Sequence, residues 1–456
     1  MNIDKEEIDR CLSFYNNSEI VQSVNTDRLA RLIVKHIPIV TVVETGEMLS
    51  YYNGVYSENA KEKIHKFLVN ILSNYERGNG SAVFTKHILN EVIEIVKGLT
   101  YVGTDDFDSD LSLINMKNGL YNWMTGEFTP HDPAYRSRIQ IPVAYDPDAD
   151  CPAIREFFGM VMEERDLIKM REFVAYCLYR GYPIQKAFIL YGQGGTGKSH
   201  FLDILTNFLG PYNCASVSMH DLENDRFSTS DLHRKLLNAF GDMSQSTLPN
   251  VNILKMLTSG KDIIRAQKKG QQAFNFVNFA KMIFGTNKLP KVLDNTTGFF
   301  RRIELIPFDK PLGPGFDKTG LIERCKSPEE MSGLFNWVIP ALDPLLKRGN
   351  FTNSFTAQDA LVGWKIKSDP VGYFLDRYVL FDQADVITTK DDMYNIYKIF
   401  CKINGLEPLS PVWFGREFSK QAPSKRDGDR MVNGKRKTVW INIGFNPETI
   451  EELLFQ

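Results

Sequence analysis

The sequence predicts a multidomain α/β protein built around a parallel-sheet nucleotide-binding core, and three observations predict it. The stretch Tyr191 to Ser199 reads Tyr-Gly-Gln-Gly-Gly-Thr-Gly-Lys-Ser, which fits the phosphate-binding loop pattern of a glycine, four residues and Gly-Lys-Ser. Its flanks suit that chemistry. Lys186 to Tyr191 is an apolar run of strand character, and His200 to Leu209 is apolar at helical spacing and stopped by Gly210-Pro211. Apolar runs then alternate with helical segments from 186 to about 310, as in a parallel α/β domain.

The 456 residues suffice for two to four domains, each with its own core. Hydrophobic content of 43% and charged content of 24% are those of an ordinary soluble protein, and no apolar run is long enough to span a membrane. Six scattered cysteines without a C-x-x-C pair point to reduced thiols and a cytoplasmic setting, as does an acidic N-terminus without a signal-peptide core. The seven histidines show no metal-ligand spacing. A net charge of −2 means that nucleic-acid binding has to come from local basic patches.

In chain order, residues 1 to about 30 read as a helix or a loose leader, and Thr26 or Asp27 as the cap of a helix with the apolar face Leu29, Leu32, Ile33. Ile37 to Val43 is a β-branched run, and the aromatics around Asn53-Gly54 signal a hairpin. Residues 59–98 are mostly helical by spacing, and strand patterns return from Leu113 to Tyr121. This α+β region covers 1–150 and closes at the Pro/Asp-rich stretch Tyr145 to Pro152. A helical linker or collar follows at 151–185, the ATPase core at 186–312, a helical lid at 313–368 and a C-terminal unit at 369–456, beyond a hinge signal at Asp369-Pro370.

Each part of a nucleotide site has a candidate. Gly192, Gln193, Gly194, Gly195, Thr196 and Gly197 would wrap the phosphates of ATP with backbone N–H groups. Lys198 would reach the β- and γ-phosphates, and the Ser199 hydroxyl would ligate Mg²⁺. The acid that shares the Mg²⁺ is expected at the end of a neighbouring strand, where Leu236 to Gly241 leads into Asp242. Met243, Ser244 and Gln245 follow it, so no second carboxylate is assigned to the water. A further strand, Ala280 to Gly285, ends in Thr286-Asn287, whose amide suits the γ-phosphate or the attacking water. The pair Arg301-Arg302 offers a finger for a neighbouring subunit's site, or is merely solvated. Two strand-like runs flank Lys268-Lys269-Gly270, a hairpin with a basic tip. Such a tip either keeps an edge soluble or tracks a DNA backbone through a pore.

The C-terminal unit has helical spacing over 371–400, a short helix from Val412 to Phe418, and a hairpin turning at Asn433-Gly434. Helices followed by a basic hairpin resemble a winged helix. Arg416, Lys425, Arg426, Arg430, Lys435, Arg436 and Lys437 are its candidate phosphate contacts, with origin recognition as its expected task and a solvated edge as the bland alternative.

In order, these motifs resemble superfamily 3 helicases, specifically the D5-type replication helicases of phages and plasmids. The matching text is Gly-Gln-Gly-Gly-Thr-Gly-Lys-Ser (192–199), Leu-Leu-Asn-Ala-Phe-Gly-Asp (236–242), Leu-Thr-Ser-Gly-Lys-Asp-Ile-Ile-Arg-Ala (257–266), Phe-Gly-Thr-Asn-Lys-Leu-Pro (284–290) and Gly-Phe-Phe-Arg-Arg-Ile (298–303). Ile114 to Tyr121, with His131-Asp132-Pro133 and Tyr145-Asp146-Pro147, resembles the domain that precedes this core. Within the family the chain is most similar to the Rep helicase-initiators of staphylococcal pathogenicity islands. The resemblance implies an AAA+-like core, a homo-hexameric ring and ATP-driven 3′→5′ translocation on single-stranded and forked DNA. It makes Lys198 and Ser199 the Walker A pair, Asp242 the Walker B acid, Asn287 the sensor, Arg301 or Arg302 the finger, and Lys268 and Lys269 the pore hairpin. Many relatives begin with a primase domain. About 150 residues precede the helical entry here, with no zinc-ligand cluster, so no primase activity is expected. Two other readings stay open: an ATP-dependent DNA-binding loader that does not unwind, and a small-molecule kinase sharing the glycine loop.

Overall fold

The structure is a computed structural model that describes residues 3–15, 18–244, 252–292, 297–313, 315–316, 320–422 and 426–455. Its centre is a five-stranded sheet in the order Cys214–Ala215, Leu237–Phe240, Lys281–Thr286, Ala187–Tyr191, Ile303–Pro307, and every neighbouring pair is parallel. The central strands are buried on both faces, which is why they read as unbroken apolar runs. Residues alternate between the faces. Phe188 and Leu190 join the core formed with the helices Pro152–Val161, Glu164–Leu178, Lys198–Leu209 and Pro328–Val338. Ala187 and Ile189 face a second core that holds Met219, Leu257, Phe299, Phe300 and Trp364.

Charges are buried at the bottom of this sheet. Glu304 accepts from Lys169 and Lys186, each at 2.7 Å. Burial alone would raise its pKa, but the two ammonium groups outweigh burial and hold the carboxyl below its usual range. Lys281, fully buried at the start of its strand, donates to the carbonyls of Gly181 (2.8 Å), Phe279 (3.0 Å) and Tyr179, with its ammonium 4.4 Å from the centre of the Tyr176 ring.

Residues 8–96 carry a separate core around the helices Thr26–His36, Ala60–Leu72 and Lys86–Leu99. The cap of the first of these helices is Asn25, whose side chain accepts from Arg28 N at 3.0 Å, not Thr26 or Asp27, which already lie inside the helix. The expected hairpin forms at Asn53-Gly54, between Met48–Tyr52 and Val55–Ser57. The supposed leader contains the short helix Lys5–Asp9 and an antiparallel pair, Leu12–Phe14 with Ile20–Val24. Strands this short show no alternation in sequence. Residues 113–143 contribute Ile114, Met116, Ile139, Ile141 and Val143 to the core of the central unit.

The C-terminal unit runs helix Pro370–Tyr378, strand Ile387–Thr389, helix Lys390–Ile403, helix Pro411–Gln421, then a hairpin of Arg426–Val432 and Lys435–Ile441. Ile387–Thr389 pairs with the second hairpin strand, so the three strands form one small sheet. Two further short strands, Val379–Phe381 and Ile443–Phe445, pair antiparallel, and the helix Pro447–Phe455 follows. Trp440 stacks on Phe418 with ring centroids 3.7 Å apart, locking the hairpin to the third helix.

Candidate nucleotide site and nucleic-acid surfaces

The glycine loop runs directly from the strand Ala187–Tyr191 into the helix Lys198–Leu209. Gly197 forms the helix entry at φ +89°, and a Cβ there would lie 2.8 Å from Val161 and 3.2 Å from Leu312, so a side chain is excluded twice over. The Lys198 ammonium is buried and donates to the carbonyls of Gly192 (2.7 Å) and Gln193 (2.8 Å), and burial lowers its pKa. Thr196 Oγ1 donates to the Gln193 carbonyl at 2.9 Å, while Gln193, Gly194, Gly195 and Ser199 are exposed. The helix N-terminus thus opens to solvent with its free N–H groups and positive dipole end.

Strand register brings the other candidates to the same edge. Leu190 pairs with Gly285 and Tyr191 with Thr286, while Phe240 pairs with Phe284. Asp242 and Asn287 therefore leave adjacent strands beside the loop, and both are exposed. The backbone joins them: Met243 N donates to the Gly285 carbonyl at 2.7 Å, and Thr286 Oγ1 to the Met243 carbonyl at 3.2 Å. Met243 points inward and is 3% exposed, which is why an apolar residue stands beside Asp242. Gln245 lies outside the described residues.

The segment after the last strand crosses the loop, a feature without a sequence signal. Phe308 N donates to the Tyr191 carbonyl at 2.8 Å and Leu312 N to the Gly195 carbonyl at 2.9 Å. Asp309, exposed on this segment, is a carboxylate the sequence reading missed. Its charge, after burial, helps push the Tyr191 phenol up to about 12.

The two arginines lie at the opposite end of the sheet. Ala187 pairs with Ile303, so Arg301 and Arg302 sit at the strand starts, about 13 Å from the loop edge at ~3.3 Å per residue. They differ in setting. Arg302 is 9% exposed and donates to the Gly298 carbonyl at 2.9 Å and to Gln185 Oε1 at 3.4 Å, whereas Arg301 is exposed. Burial, then Arg301, lowers the Arg302 pKa.

The basic hairpin pairs Ile263–Gln267 with Ala273–Val277 over five residue pairs, and Lys268 and Lys269 are exposed at its tip. Its second strand rests on His233, whose ring lies 4.8 Å from Phe274 and 5.3 Å from Phe276. Burial, then the charges of Arg234 and Lys268, pushes the His233 pKa down to about 4. That support was not legible in the sequence.

On the C-terminal unit, Arg416 stacks over Trp413 at 4.9 Å, and both are exposed. Arg426, Arg430, Lys435 and Arg436 are exposed on the hairpin, Lys437 is partly so, and Lys425 lies outside the described residues. Acids dilute the patch: Asp429 pairs with Arg436 at 2.9 Å, Asp391 with Lys437 at 3.8 Å and Asp427 with Lys390 at 2.9 Å. The loop, Asp242 and Asn287 thus share one edge. The arginines lie at the opposite end of the sheet, and the hairpin tip and the C-terminal cations belong to other elements.

Three family models match the chain. The one described as D5 N terminal like matches residues 26–163, and the one described as Poxvirus D5 protein-like matches residues 366–450. The chain is D5-like. Between the two, a family of unknown function, DUF5906, matches residues 190–302, which hold the loop, Asp242, Asn287 and the arginines. A protein of Acanthamoeba polyphaga mimivirus that carries a helicase name is 24% identical over 265 residues, covering 55% of this chain and 27% of its own length. Another, of Invertebrate iridescent virus 6, is 23% identical over 274 residues, covering 56% and 28%. The D5-like chain therefore spans roughly a quarter of the length of these relatives. The apo structure of the NrS-1 C terminal region shares the fold at a TM-score of 0.51 and 13% identity, over 93% of this chain and 100% of that one. Its A form gives 0.50 over 91% and 98%. Among the described residues no helix is long and apolar enough to cross a membrane.

Proposed function

We propose that this chain is an ATP-driven DNA helicase: a superfamily 3, AAA+-like P-loop motor that works as a ring of six copies, moves 3′→5′ along one strand and initiates replication of a mobile element such as a phage, plasmid or pathogenicity island. The observation that carries the reading is the division of labour on one sheet. The loop, Asp242 and Asn287 share its C-terminal edge, while the exposed Arg301 stands at the far end, out of reach of its own loop. A site so divided is completed by a neighbouring copy. The D5 matches at both ends of the chain and the helicase names of the viral relatives support it.

In this reading the Lys198 ammonium leaves the Gly192 and Gln193 carbonyls for the β- and γ-phosphate oxygens of ATP, and the loop N–H groups hold the phosphates in place. Ser199 and Asp242 fit Mg²⁺. One hydroxyl and one carboxylate, both exposed, are the sparse oxygen set taken by an ion that shares phosphate oxygens and water. Among the described residues no cluster of three or more His, Cys, Asp or Glu offers a protein cage instead. When bound, the ion neutralises charge on the transferred phosphoryl group. Asn287 orients the water or the γ-phosphate, and Arg301 of the adjacent copy stabilises the charge that develops. Lys268 and Lys269 grip the DNA backbone in the pore, and the winged-helix-like C-terminal unit holds origin duplex through Arg416 and the hairpin cations.

Strand displacement on a forked duplex tests the proposal. The expected result is ATP-dependent release of the displaced strand, lost in Lys198→Ala. Hydrolysis and DNA binding without release would favour a loader, and phosphoryl transfer to a small acceptor a kinase.

A further inference from the structure

We propose that Trp364 is the positioning residue for the Arg301 finger and ties the finger's presentation to the C-terminal unit. The inference rests on the assignment of Arg301 to a neighbour's nucleotide site.

Arg301 directly follows Phe299-Phe300, the end of the short helix Thr297–Phe300. Trp364, 3% exposed on the helix Phe355–Ser368, meets both rings edge-on: Phe299 at 5.7 Å and 81°, Phe300 at 5.4 Å and 85°. Its Nε1 donates to the Pro290 carbonyl at 2.7 Å, three residues beyond Asn287. One side chain thus grips the segment that leaves Asn287 and the segment that presents Arg301. The next residue, Lys365, covers the same Phe300 ring at 5.8 Å.

The helix bearing Trp364 ends at Ser368, and the next residue, Asp369, is the joint to the C-terminal unit. The Asp369 carboxylate caps the next helix through Gly372 N (2.9 Å) and accepts from Gln421 Nε2 at 3.2 Å on both oxygens. Gln421 is the last residue of the helix Pro411–Gln421, which carries Arg416. Between the two sides lies a cleft of about 420 Å³, lined by Phe300, Arg301 and Lys365 from the core and by Asp369, Tyr373 and Asp376 from the C-terminal unit. A shift of the DNA-facing helix reaches Arg301 through Gln421, Asp369 and Trp364. A contiguous set of contacts suggests such coupling, and only mutual dependence establishes it.

A buried tryptophan also serves simple packing, so the test has to separate finger presentation from folding. Trp364→Leu subunits keep an intact loop and lack a well-placed finger. Alone they should bind a fluorescent ATP analogue within about twofold of wild type and hydrolyse ATP about a hundredfold more slowly. Mixed with Lys198→Ala subunits, which supply a finger but no site, they should regain hydrolysis. Mixed with Arg301→Ala subunits they should regain none. Trp364→Phe, which keeps a ring on Phe299 and Phe300, should stay near wild type. If Trp364→Leu fails to fold, Phe300→Leu takes its place in the same mixtures. Gln421→Ala should hydrolyse normally without DNA and lose stimulation by forked DNA.

Wild-type turnover by Trp364→Leu overturns the proposal. So does recovery with neither partner while Arg301→Ala and Lys198→Ala rescue each other. Failure of that last pair overturns the finger assignment itself. Unchanged DNA stimulation in Gln421→Ala overturns the link to the C-terminal unit.

Discussion

A Cβ on Gly285 would stand 2.7 Å from the carbonyl oxygen of Gly241, so these two backbones touch at the sheet edge that carries Asp242 and Asn287. The contact sets the spacing between the two side chains, since each lies within two residues of it. Gly285→Ala has no flexible neighbour to push aside and must part the strand ends, at a cost of about 1–3 kcal/mol. We expect a lower melting temperature and ATP hydrolysis reduced about tenfold or more, read by phosphate release. Gly194→Ala is the control. A Cβ at Gly194 meets nothing within 4 Å, so its melting temperature should stay at the wild-type value.

The hairpin tip yields a prediction that separates motor from grip. Lys268 and Lys269 are exposed at the tip of a hairpin that is separate from the loop and its flanking strand and helix. Changing both to Ala should leave DNA-free ATP hydrolysis within about twofold of wild type. Unwinding of a forked duplex should be lost, and the salt dependence of single-strand binding should become shallower. Intact unwinding in this double variant would remove the pore role from the hairpin.

Lys281 makes stability depend on pH. Burial pushes its pKa down to about 7, against the pull of three carbonyls and the Tyr176 ring on the ammonium. In the unfolded chain a lysine titrates near ~10.4. Between these values the unfolded state holds the extra proton, so stability rises with pH across that window. Below about 7 both states are protonated, and the cost of the buried charge is fully present. Lys281→Met removes this contribution, so the variant's advantage in urea midpoint over wild type should be largest near pH 7 and shrink towards pH ~10. A difference that stays constant across the window would show that the lysine titrates equally in both states.

How far the sequence could be read depended on how local each determinant was. The loop, its strand and its helix occupy 23 consecutive positions from Ala187 to Leu209, and the Asn53-Gly54 and Asn433-Gly434 hairpins carry their turns in two residues, so all were visible. Three-residue strands such as Val379–Phe381 and Ile443–Phe445 show no period, and their partners lie far away in the chain. His233 was invisible as a hairpin support because Phe274 and Phe276 are some 40 positions away. Arg301 and Arg302 are the same residue type side by side, and what separates them in the structure is Gly298, four positions before Arg302, and Gln185, 117 positions away.

That separation gives the arginines opposite phenotypes. Arg302→Ala leaves the Gly298 carbonyl and Gln185 Oε1 without their donor beneath the strand that leads to the loop. It should cost about 1–3 kcal/mol of stability and lower the melting temperature. Arg301→Ala removes an exposed side chain and should melt as wild type does. Its ATP hydrolysis should nevertheless fall by about a thousandfold, because a finger acts only on the charge that develops during phosphoryl transfer. The contrast tests the divided site without assuming a ring. A residue about 13 Å from its own loop edge has no route to that charge within one chain. A large loss of turnover with an unchanged melting curve would therefore have to come from the adjacent copy's site. Equal destabilisation by the two substitutions, or unchanged turnover in Arg301→Ala, would return both arginines to the role of strand anchors.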